Sequence, residues 1–219
     1  MTRERVVRAW FGTAVIAFGF FLLLGMEVSR RGEPPLLLGW EHGWFDHSTL
    51  VAWRLTESCY PRVLIPIGIV LLILAVALRN WRVRILTSIA SLLIAWRGAD
   101  FFQHYFARPR PVEWAIKHEL SFSYPSSHAA IAVGFYGLWA ALFYFSDLPK
   151  PVRTIGGLLL AIFAAGVCWS RLALGAHYLT DIAGGALLGL VAAALCAAFV
   201  TAVFGRVAGP AERGQNRAA

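Results

Sequence analysis

Six apolar runs separated by short polar segments dominate the chain. Each run approaches the roughly 20 residues that a helix needs to cross about 30 Å of hydrocarbon. None shows the alternation of a strand, so each is interpreted as a lone transmembrane helix. The predicted spans are Ala9–Val28, Val63–Leu78, Ile85–Phe102, Ser127–Phe145, Thr154–Ser170 and Ile182–Phe204. The sequence therefore predicts an all-α bundle of six transmembrane helices, a single membrane-embedded domain over residues 1–219 with a short cytoplasmic tail from about 205 to 219.

The composition agrees with a membrane protein. Of the 219 residues, 58% are hydrophobic and 15% are charged, against about 25% charged residues in a typical soluble domain. The net charge is +8, but most charges lie in short loops between apolar runs, where topology signals belong. No nucleic-acid partner is therefore expected. The first apolar run follows a basic stretch, as in a signal sequence, but it is as long as a full span and no small-residue cleavage site follows, which predicts an uncleaved helix.

The basic residues also predict the orientation. With the N-terminus inside, eleven of the 20 basic residues lie on cytoplasmic segments. Arg108, Arg110 and Arg171 on the other side belong to the candidate site described below, and setting them aside leaves eleven against six. The positive-inside rule thus predicts a multi-pass protein of a bacterial inner membrane, with a cytoplasmic N-terminus and with the loops after the third and fifth spans in the periplasm.

The connection Gly32–Pro61 is long and contains a proline pair and three tryptophans. Asp46 or Ser48 is placed to cap a short helix that runs through Leu55. The aromatic side chains suit the headgroup layer. Two roles stay open for this segment, a plain interfacial anchor and a gate for substrate.

Three short stretches hold nearly all the unusual polar residues. They are Gln103–Pro111 after the third span, Pro125–His128 at the start of the fourth, and Ser170–Asp181 between the fifth and sixth. The loops after the third and fifth spans face the same side of the membrane because both spans are odd-numbered. We therefore expect one set of side chains from these stretches to meet at one membrane surface: Arg108, Arg110, Arg171, His128, His177, Ser126, Ser127 and Asp181.

This set of side chains suits phosphoryl transfer. Arginine forks match phosphate oxygens, and Ser126 and Ser127 open a helix, whose free N–H groups favour an anion. His177 and Asp181 are four apart, so that on a helix Asp181 would accept from one ring nitrogen and leave the other to attack. His128 is then placed to protonate a departing alkoxide. These are the parts of covalent histidine catalysis, and no metal or cofactor is predicted because the arginines supply the positive charge.

The three stretches resemble the signature of the type 2 phosphatidic acid phosphatase family, which includes undecaprenyl-diphosphate phosphatases, glucose-6-phosphatases and vanadium haloperoxidases. The family pattern is Lys-x6-Arg-Pro, then Pro-Ser-Gly-His, then Ser-Arg-x5-His-x3-Asp. The third element matches fully, at Ser170, Arg171, His177 and Asp181. Gln103 stands in place of the family lysine, and Ser127 stands in place of the family glycine.

The resemblance implies roles for these residues. His177 would be the nucleophile, Asp181 its orienting partner, and His128 the general acid that later activates water. Phosphate would be bound by Arg110, Ser126, Arg171, the backbone of Ser127 and the uncharged Gln103. Either Arg108 or Arg97 would compensate for the missing lysine, or the substrate would carry less negative charge than usual. The implied reaction is hydrolysis of a lipid phosphate monoester or diphosphate at the outer face of the membrane.

Two alternatives stay open from the sequence. The same phosphohistidine would also serve a phosphotransferase that hands the phosphoryl group to another lipid or to a sugar. A non-catalytic phospholipid-binding or transport protein would keep the phosphate pocket without turnover. No pattern in the sequence selects one lipid or specifies an oligomeric state.

Overall fold

The computed structural model describes residues 2–43, 50–111 and 121–205. Within those ranges it contains nine α-helices and no strand, which confirms the predicted all-α fold. The helices are α1 (Arg3–Arg31), α2 (Pro35–His42), α3 (Leu50–Glu57), α4 (Pro61–Ala77), α5 (Arg82–Phe106), α6 (Ser127–Ile131), α7 (Leu138–Tyr144), α8 (Lys150–Ala173) and α9 (Leu179–Phe204). A π-helical segment, Ala132–Gly137, continues α6 into α7.

Among the described residues, five helical units are long and apolar enough to cross a membrane: α1, α5, the continuous unit α6–α7, α8 and α9. A sixth candidate span is the pair α3 and α4, which meet at a bend of 49°. Pro61 opens α4, where its missing N–H costs nothing at a first helical turn but prevents α3 from running on unbroken. The chain is thus a multi-pass membrane protein, and each predicted span corresponds to a helix or a continuous helical unit.

Helix α9 packs against α1, α5 and α6, and glycines set how close α6 comes. A side-chain carbon at Gly185 would lie 2.3 Å from the carbonyl oxygen of Ser126, and one at Gly189 would lie 2.4 Å from that of Ala130. Only glycine fits where two backbones approach so closely. This contact brings the start of α6 against the start of α9, which is where two of the three polar stretches lie.

Replacing Gly185 with alanine is expected to lower both the melting temperature of the detergent-purified protein and its activity. The added carbon must push the α6 backbone away, and overpacking of this kind costs roughly 1–3 kcal/mol. Gly98→Ala on α5 is the matched control, since its added carbon would meet Leu188 at an ordinary 3.7 Å. Equal melting temperatures for the two variants would contradict the close approach of α6 and α9.

The connection Gly32–Pro61 carries α2 and α3, and parts of it turn inward. Leu36 and Trp40 on α2 are exposed, whereas Glu33, Glu41 and Thr56 are buried. The suggested caps Asp46 and Ser48 lie outside the described residues, as does nearly all of the predicted tail. Helix α3 extends two residues beyond the predicted end at Leu55. This segment therefore contributes side chains to the interior at the end of the bundle where the polar stretches meet.

Candidate active site

The three polar stretches meet where α5 ends and where α6 and α9 begin. The Ser126 N–H donates to the carbonyl of Asp181 at 3.0 Å. The side-chain amide of Gln103 donates to the carbonyl of Pro125 at 2.9 Å. These two bonds tie all three stretches together, so the convergence predicted by counting spans is observed.

His177 lies in the turn between α8 and α9 and is almost completely buried. Its Nε2 is 3.1 Å from Nη1 of Arg110. Arginine can only donate, so Nε2 accepts and the ring proton is assigned to Nδ1. Nδ1 lies 3.6 Å from Oδ2 of Asp181 and 3.4 Å from Oγ of Ser123. The ring thus presents its unprotonated nitrogen to an arginine and its proton to the carboxylate side.

The contact between His177 and Asp181 arises differently from the sequence argument. His177 precedes α9 and does not share a helix face with Asp181. Instead the Asp181 carboxylate turns back over the helix start, and its Oδ2 accepts from the N–H of Tyr178 at 3.0 Å. A carboxylate is favoured there by the free N–H groups and by the helix dipole. This capping arrangement carries Asp181 to the side of His177.

Asp181 is fully buried and accepts from two side chains. Oδ1 accepts from Nη1 of Arg108, and Oδ2 accepts from the hydroxyl of Ser123. Because Ser123 also lies beside Nδ1 of His177, its hydroxyl bridges the histidine and the aspartate. Together with the Tyr178 amide, these donors stabilise an ionised carboxylate at this position.

Arg108 is not placed as a phosphate ligand. Besides Asp181, its guanidinium donates to Oε2 of Glu33 at 2.7 Å and to the hydroxyl of Thr180 at 2.8 Å. It also stacks over the ring of Tyr178 at 4.4 Å. The predicted phosphate contact is corrected on this point, because two buried carboxylates bind the cation more strongly than an open pocket would.

Arg110 lies beside His177, and Arg171 lies near His128. Nη1 of Arg110 also donates to the carbonyl of Ala176 at 2.8 Å, and its Nε and Nη2 donate to Ser121 at 2.7 and 2.8 Å. Arg171 is buried and donates to the hydroxyl of Thr56 at 3.2 Å. Both arginines interact electrostatically with His128. The site thus holds two guanidinium groups beside two histidines.

His128 is the second residue of α6 and is buried. Its Nε2 has no hydrogen-bond partner within the described part of the chain. Its ring bonds to the backbone of Thr56 and packs edge-on against Tyr60, with the ring centroids 5.1 Å apart. A buried polar atom left open in this way needs an explanation. A substrate oxygen would supply the missing partner.

The other predicted phosphate ligands line the start of α6 or support it. Ser126 is buried, and its hydroxyl caps the helix by accepting from the N–H of Ala129. Ser127 is the first helical residue, so its N–H lies among the free donors of that helix start. Gln103 is 4% exposed and is used to hold Pro125. The Arg97 side chain is 77% exposed and lies 3.8 Å from Asp100, so it does not replace the family lysine.

Sequence reasoning missed several residues of the site. Ser123 bridges His177 and Asp181, Thr56 contacts Arg171 and His128, and Glu33 pairs with Arg108. Ser123 lies two residues before Pro125, so its position beside the motif could have identified it from the sequence. Glu33 and Thr56 carried no local signal, because their partners lie 75 and 115 residues away along the chain.

Glu41 is a buried carboxyl group outside the membrane spans. Its Oε1 accepts from the N–H of Leu179 at 2.8 Å, and its Oε2 has no hydrogen-bond partner among the described residues. Burial, helped by the negative charges of Glu33 and Asp181, raises the pKa of Glu41 from 4.5 to about 8. The group is therefore mainly protonated at neutral pH.

We expect Glu41→Gln to flatten the dependence of the melting temperature on pH. Because the folded state holds the proton more tightly than the unfolded chain, Glu41 contributes full stability below about pH 4.5, and this is lost as pH rises through about 8. Wild type should thus lose stability between pH 5 and 8 more steeply than the variant. Thermal unfolding in detergent at a series of pH values measures both slopes, and identical slopes would contradict the raised pKa.

Comparisons with known proteins agree with this arrangement. Residues 70–204 match the sequence profile described as the PAP2 superfamily. The chain is 36% identical over 95 residues to phosphatidylglycerophosphatase B of Bacillus subtilis strain 168, covering 41% of this chain and 44% of that protein, so the match spans less than half of that relative. It is 29% identical over 178 residues to the bacitracin transport permease protein BcrC of Bacillus licheniformis, covering 81% of this chain and 75% of that protein.

The fold is also similar to that of a solved structure. A crystal structure of a transmembrane PAP2-type phosphatidylglycerolphosphate phosphatase from Bacillus subtilis superposes with a TM-score of 0.71 at 23% identity, covering 87% of this chain and 97% of that one. At 23% identity this similarity is evidence for the fold alone. The family profile covers more than half of the chain and includes all three motifs. The chain therefore belongs to the PAP2 superfamily, the type 2 phosphatidic acid phosphatase family that its three motifs resemble.

Proposed function

We propose that this protein hydrolyses a lipid phosphate monoester or diphosphate through a phosphohistidine on His177. The observation that carries the proposal is the orientation of the His177 ring. Its Nε2 faces Arg110, and its Nδ1 lies between Ser123 and Asp181. An imidazole held in one tautomer by a carboxylate on one side offers a nucleophilic nitrogen on the other.

The neighbouring groups supply the rest of the reaction. The phosphate would lie between Arg110, Arg171 and the free N–H groups at the start of α6, which together stabilise charge on its oxygens. Nε2 of His177 forms a bond to phosphorus while the bond to the leaving oxygen breaks. His128 gives a proton to that oxygen, so that an alcohol or a phosphate departs.

The second step returns the enzyme to its starting state. His128, now neutral, accepts a proton from a water molecule as the water oxygen attacks phosphorus. The bond between phosphorus and Nε2 breaks, inorganic phosphate leaves, and His128 is again protonated. Positive charge for both steps comes from the arginines, so we propose that the reaction needs no metal ion.

The proposed substrate is a membrane lipid because the site lies at the end of a bundle of membrane-spanning helices. The name of one relative, phosphatidylglycerophosphatase B, makes phosphatidylglycerol phosphate the first lipid to test. Polyprenyl diphosphate, phosphatidic acid and other lipid phosphates present the same anion. The loop charges support a site on the periplasmic face of a bacterial inner membrane.

The decisive experiment combines phosphate release with trapping of the intermediate. Detergent-purified protein is mixed with a panel of lipid phosphates in the presence of EDTA, and radiolabelled substrate is quenched at alkaline pH, where phosphohistidine persists. We expect free phosphate and transient label on the protein. Release that requires added Mg²⁺ would contradict the metal-independent mechanism.

The same experiment separates the remaining functions. Label that moves from the protein to an added lipid or sugar without forming free phosphate would identify a phosphotransferase. Lipid binding with neither label nor phosphate would identify a binding or transport protein, the class that the name of the Bacillus licheniformis relative indicates for that relative. The paired His177 and Asp181 favour an enzyme over a binding protein, since a binding protein has no need of an oriented nucleophile.

A further inference from the structure

Arg108 bridges two carboxylates in the interior behind His177. Nη1 donates to Oδ1 of Asp181, and Nη2 donates to Oε2 of Glu33 at 2.7 Å. The side chains of Arg108 and Glu33 are 2% and 1% exposed, and that of Asp181 is fully buried. The three groups thus form a buried row that runs from the α1–α2 connection to the nucleophile.

Glu33 is held by more than the arginine. Its Oε2 also accepts from the hydroxyl of Thr180, and its Oε1 accepts from the N–H of Thr180 at 3.4 Å. The Thr180 hydroxyl in turn accepts from Arg108. Glu33 therefore fixes the guanidinium directly and through one intervening hydroxyl.

Each member of the row has a geometric consequence for the next. The Arg108 bond occupies Oδ1 of Asp181, so Oδ2 is left for Ser123, for the Tyr178 amide and for the side facing His177. Without a second carboxylate, the positive charge of Arg108 would weaken the electrostatic effect of the Asp181 carboxylate on His177. The carboxylate of Glu33 offsets that positive charge, because opposite charges in a poorly solvated interior interact strongly.

We propose that Glu33 and Arg108 are positioning residues for the reaction at His177, with Arg108 fixing the Asp181 carboxylate and Glu33 holding Arg108 and balancing its charge. The proposal rests on the proposed function, in which His177 is the nucleophile. It assigns the α1–α2 connection a part in the chemistry that goes beyond an anchor or a gate. The competing explanation is that Glu33 only caps the start of α9.

Other titratable or charged groups lie on the elements packed against the row of Glu33, Arg108 and Asp181. They are Glu41 on α2, Tyr124 before α6, Tyr178 at the start of α9, and Arg110, Arg171, His128 and His177 in the site. Burial and the charges of Glu33 and Asp181 keep Glu41 protonated below about pH 8. Glu33 is the carboxylate that contacts Arg108 behind Asp181, whereas Glu41 contacts the N–H of Leu179.

The experiment compares Glu33→Gln with Glu41→Gln. Both exchange a buried glutamate near the start of α9 for an isosteric amide. Glu41 bonds to the N–H of Leu179 and to the side chain of Glu33, and of the two glutamates Glu33 is the one that bonds to Arg108. The first readout does not depend on turnover: the proton titration of His177 by NMR in detergent, with histidine labelled and His177→Ala identifying its resonance among six histidines. We expect the His177 midpoint to fall by roughly one pH unit in Glu33→Gln, since a nearby negative charge is lost.

The Glu41→Gln control and the pH dependence of kcat/KM give two further tests. The midpoint should stay at the wild-type value in Glu41→Gln below pH 8, and the acid limb of kcat/KM should move with the midpoint in Glu33→Gln. An unchanged His177 midpoint in Glu33→Gln would show that Glu33 acts only as a cap of α9 and would overturn the proposal. If wild type releases no phosphate, the proposed function fails, whereas the titration still decides the role of Glu33.

Arg108→Lys is a second variant, which keeps the positive charge but loses the simultaneous contacts of the guanidinium with Asp181 and Glu33. A positioning role predicts that kcat falls by roughly tenfold to a hundredfold while KM changes little. A large rise in KM with kcat preserved would instead show that Arg108 binds the substrate phosphate, and it would overturn the proposal.

Discussion

Replacing His177 with alanine is expected to lower the rate of phosphate release by roughly 10⁴- to 10⁶-fold, the range seen when a covalent nucleophile is removed from an enzyme. The variant loses the nitrogen, Nε2 of His177, that faces Arg110 while Asp181 and Ser123 lie beside the other ring nitrogen. The arginines that we propose to bind phosphate remain, so lipid affinity should change far less than turnover. Phosphate release and lipid binding, measured side by side in detergent, separate the two effects.

The matched control is His104→Ala. His104 is an exposed histidine on α5 whose ring contacts Phe122 and whose Nδ1 bonds to the backbone of Asp100. It should release phosphate at close to the wild-type rate. A His177→Ala enzyme that melts at the wild-type temperature and retains most of its activity would falsify the phosphohistidine mechanism.

The second large effect is expected for Asp181→Asn, which should lower kcat by roughly 10³- to 10⁴-fold, the scale known for carboxylates that orient a catalytic histidine. Asparagine carries one N–H₂ group where Asp181 accepts from Arg108 on one side and from Ser123 and Tyr178 on the other. Any orientation of the amide therefore sets a donor against a donor. The histidine loses both its partner and its preferred tautomer.

Rapid-quench labelling measures which step of the reaction is slowed in Asp181→Asn. We expect the label to appear on Asp181→Asn protein much more slowly than on wild type, since attack by Nε2 is the step that needs the oriented ring. Asp100→Asn serves as the control because Asp100 is a half-exposed carboxylate on α5 that pairs with Arg97. A decrease of less than tenfold in Asp181→Asn would show that the carboxylate is not needed to orient His177.

Gln103 changes how positive charge is distributed in this site relative to the family pattern. The position that carries a lysine in that pattern carries a buried amide here, and the amide holds the carbonyl of Pro125. Glutamine is suited to this because it donates a hydrogen bond without placing a further charge in the interior. The positive charge proposed to stabilise the phosphate therefore comes from Arg110 and Arg171.

The apolar runs determined the helices well. The predicted span Val63–Leu78 corresponds to α4 (Pro61–Ala77), and Ile182–Phe204 corresponds to α9 (Leu179–Phe204). Hydrophobic length is a local property, since it depends on how many consecutive residues avoid water and not on what they contact. For the same reason, counting spans was enough to place the three polar stretches at one end of the bundle.

Only the tertiary structure decided which polar groups pair. Arg108 and Arg110 are two residues apart and look alike in the sequence, yet one lies between buried carboxylates and the other reaches His177. What separates them is Glu33, which reaches Arg108 from 75 residues away. Which buried charges pair depends on which elements touch, and here the α1–α2 connection and the start of α9 both reach Arg108, which follows α5. A charge pair of this kind has no local signature, because neither partner's neighbours in the chain reveal it.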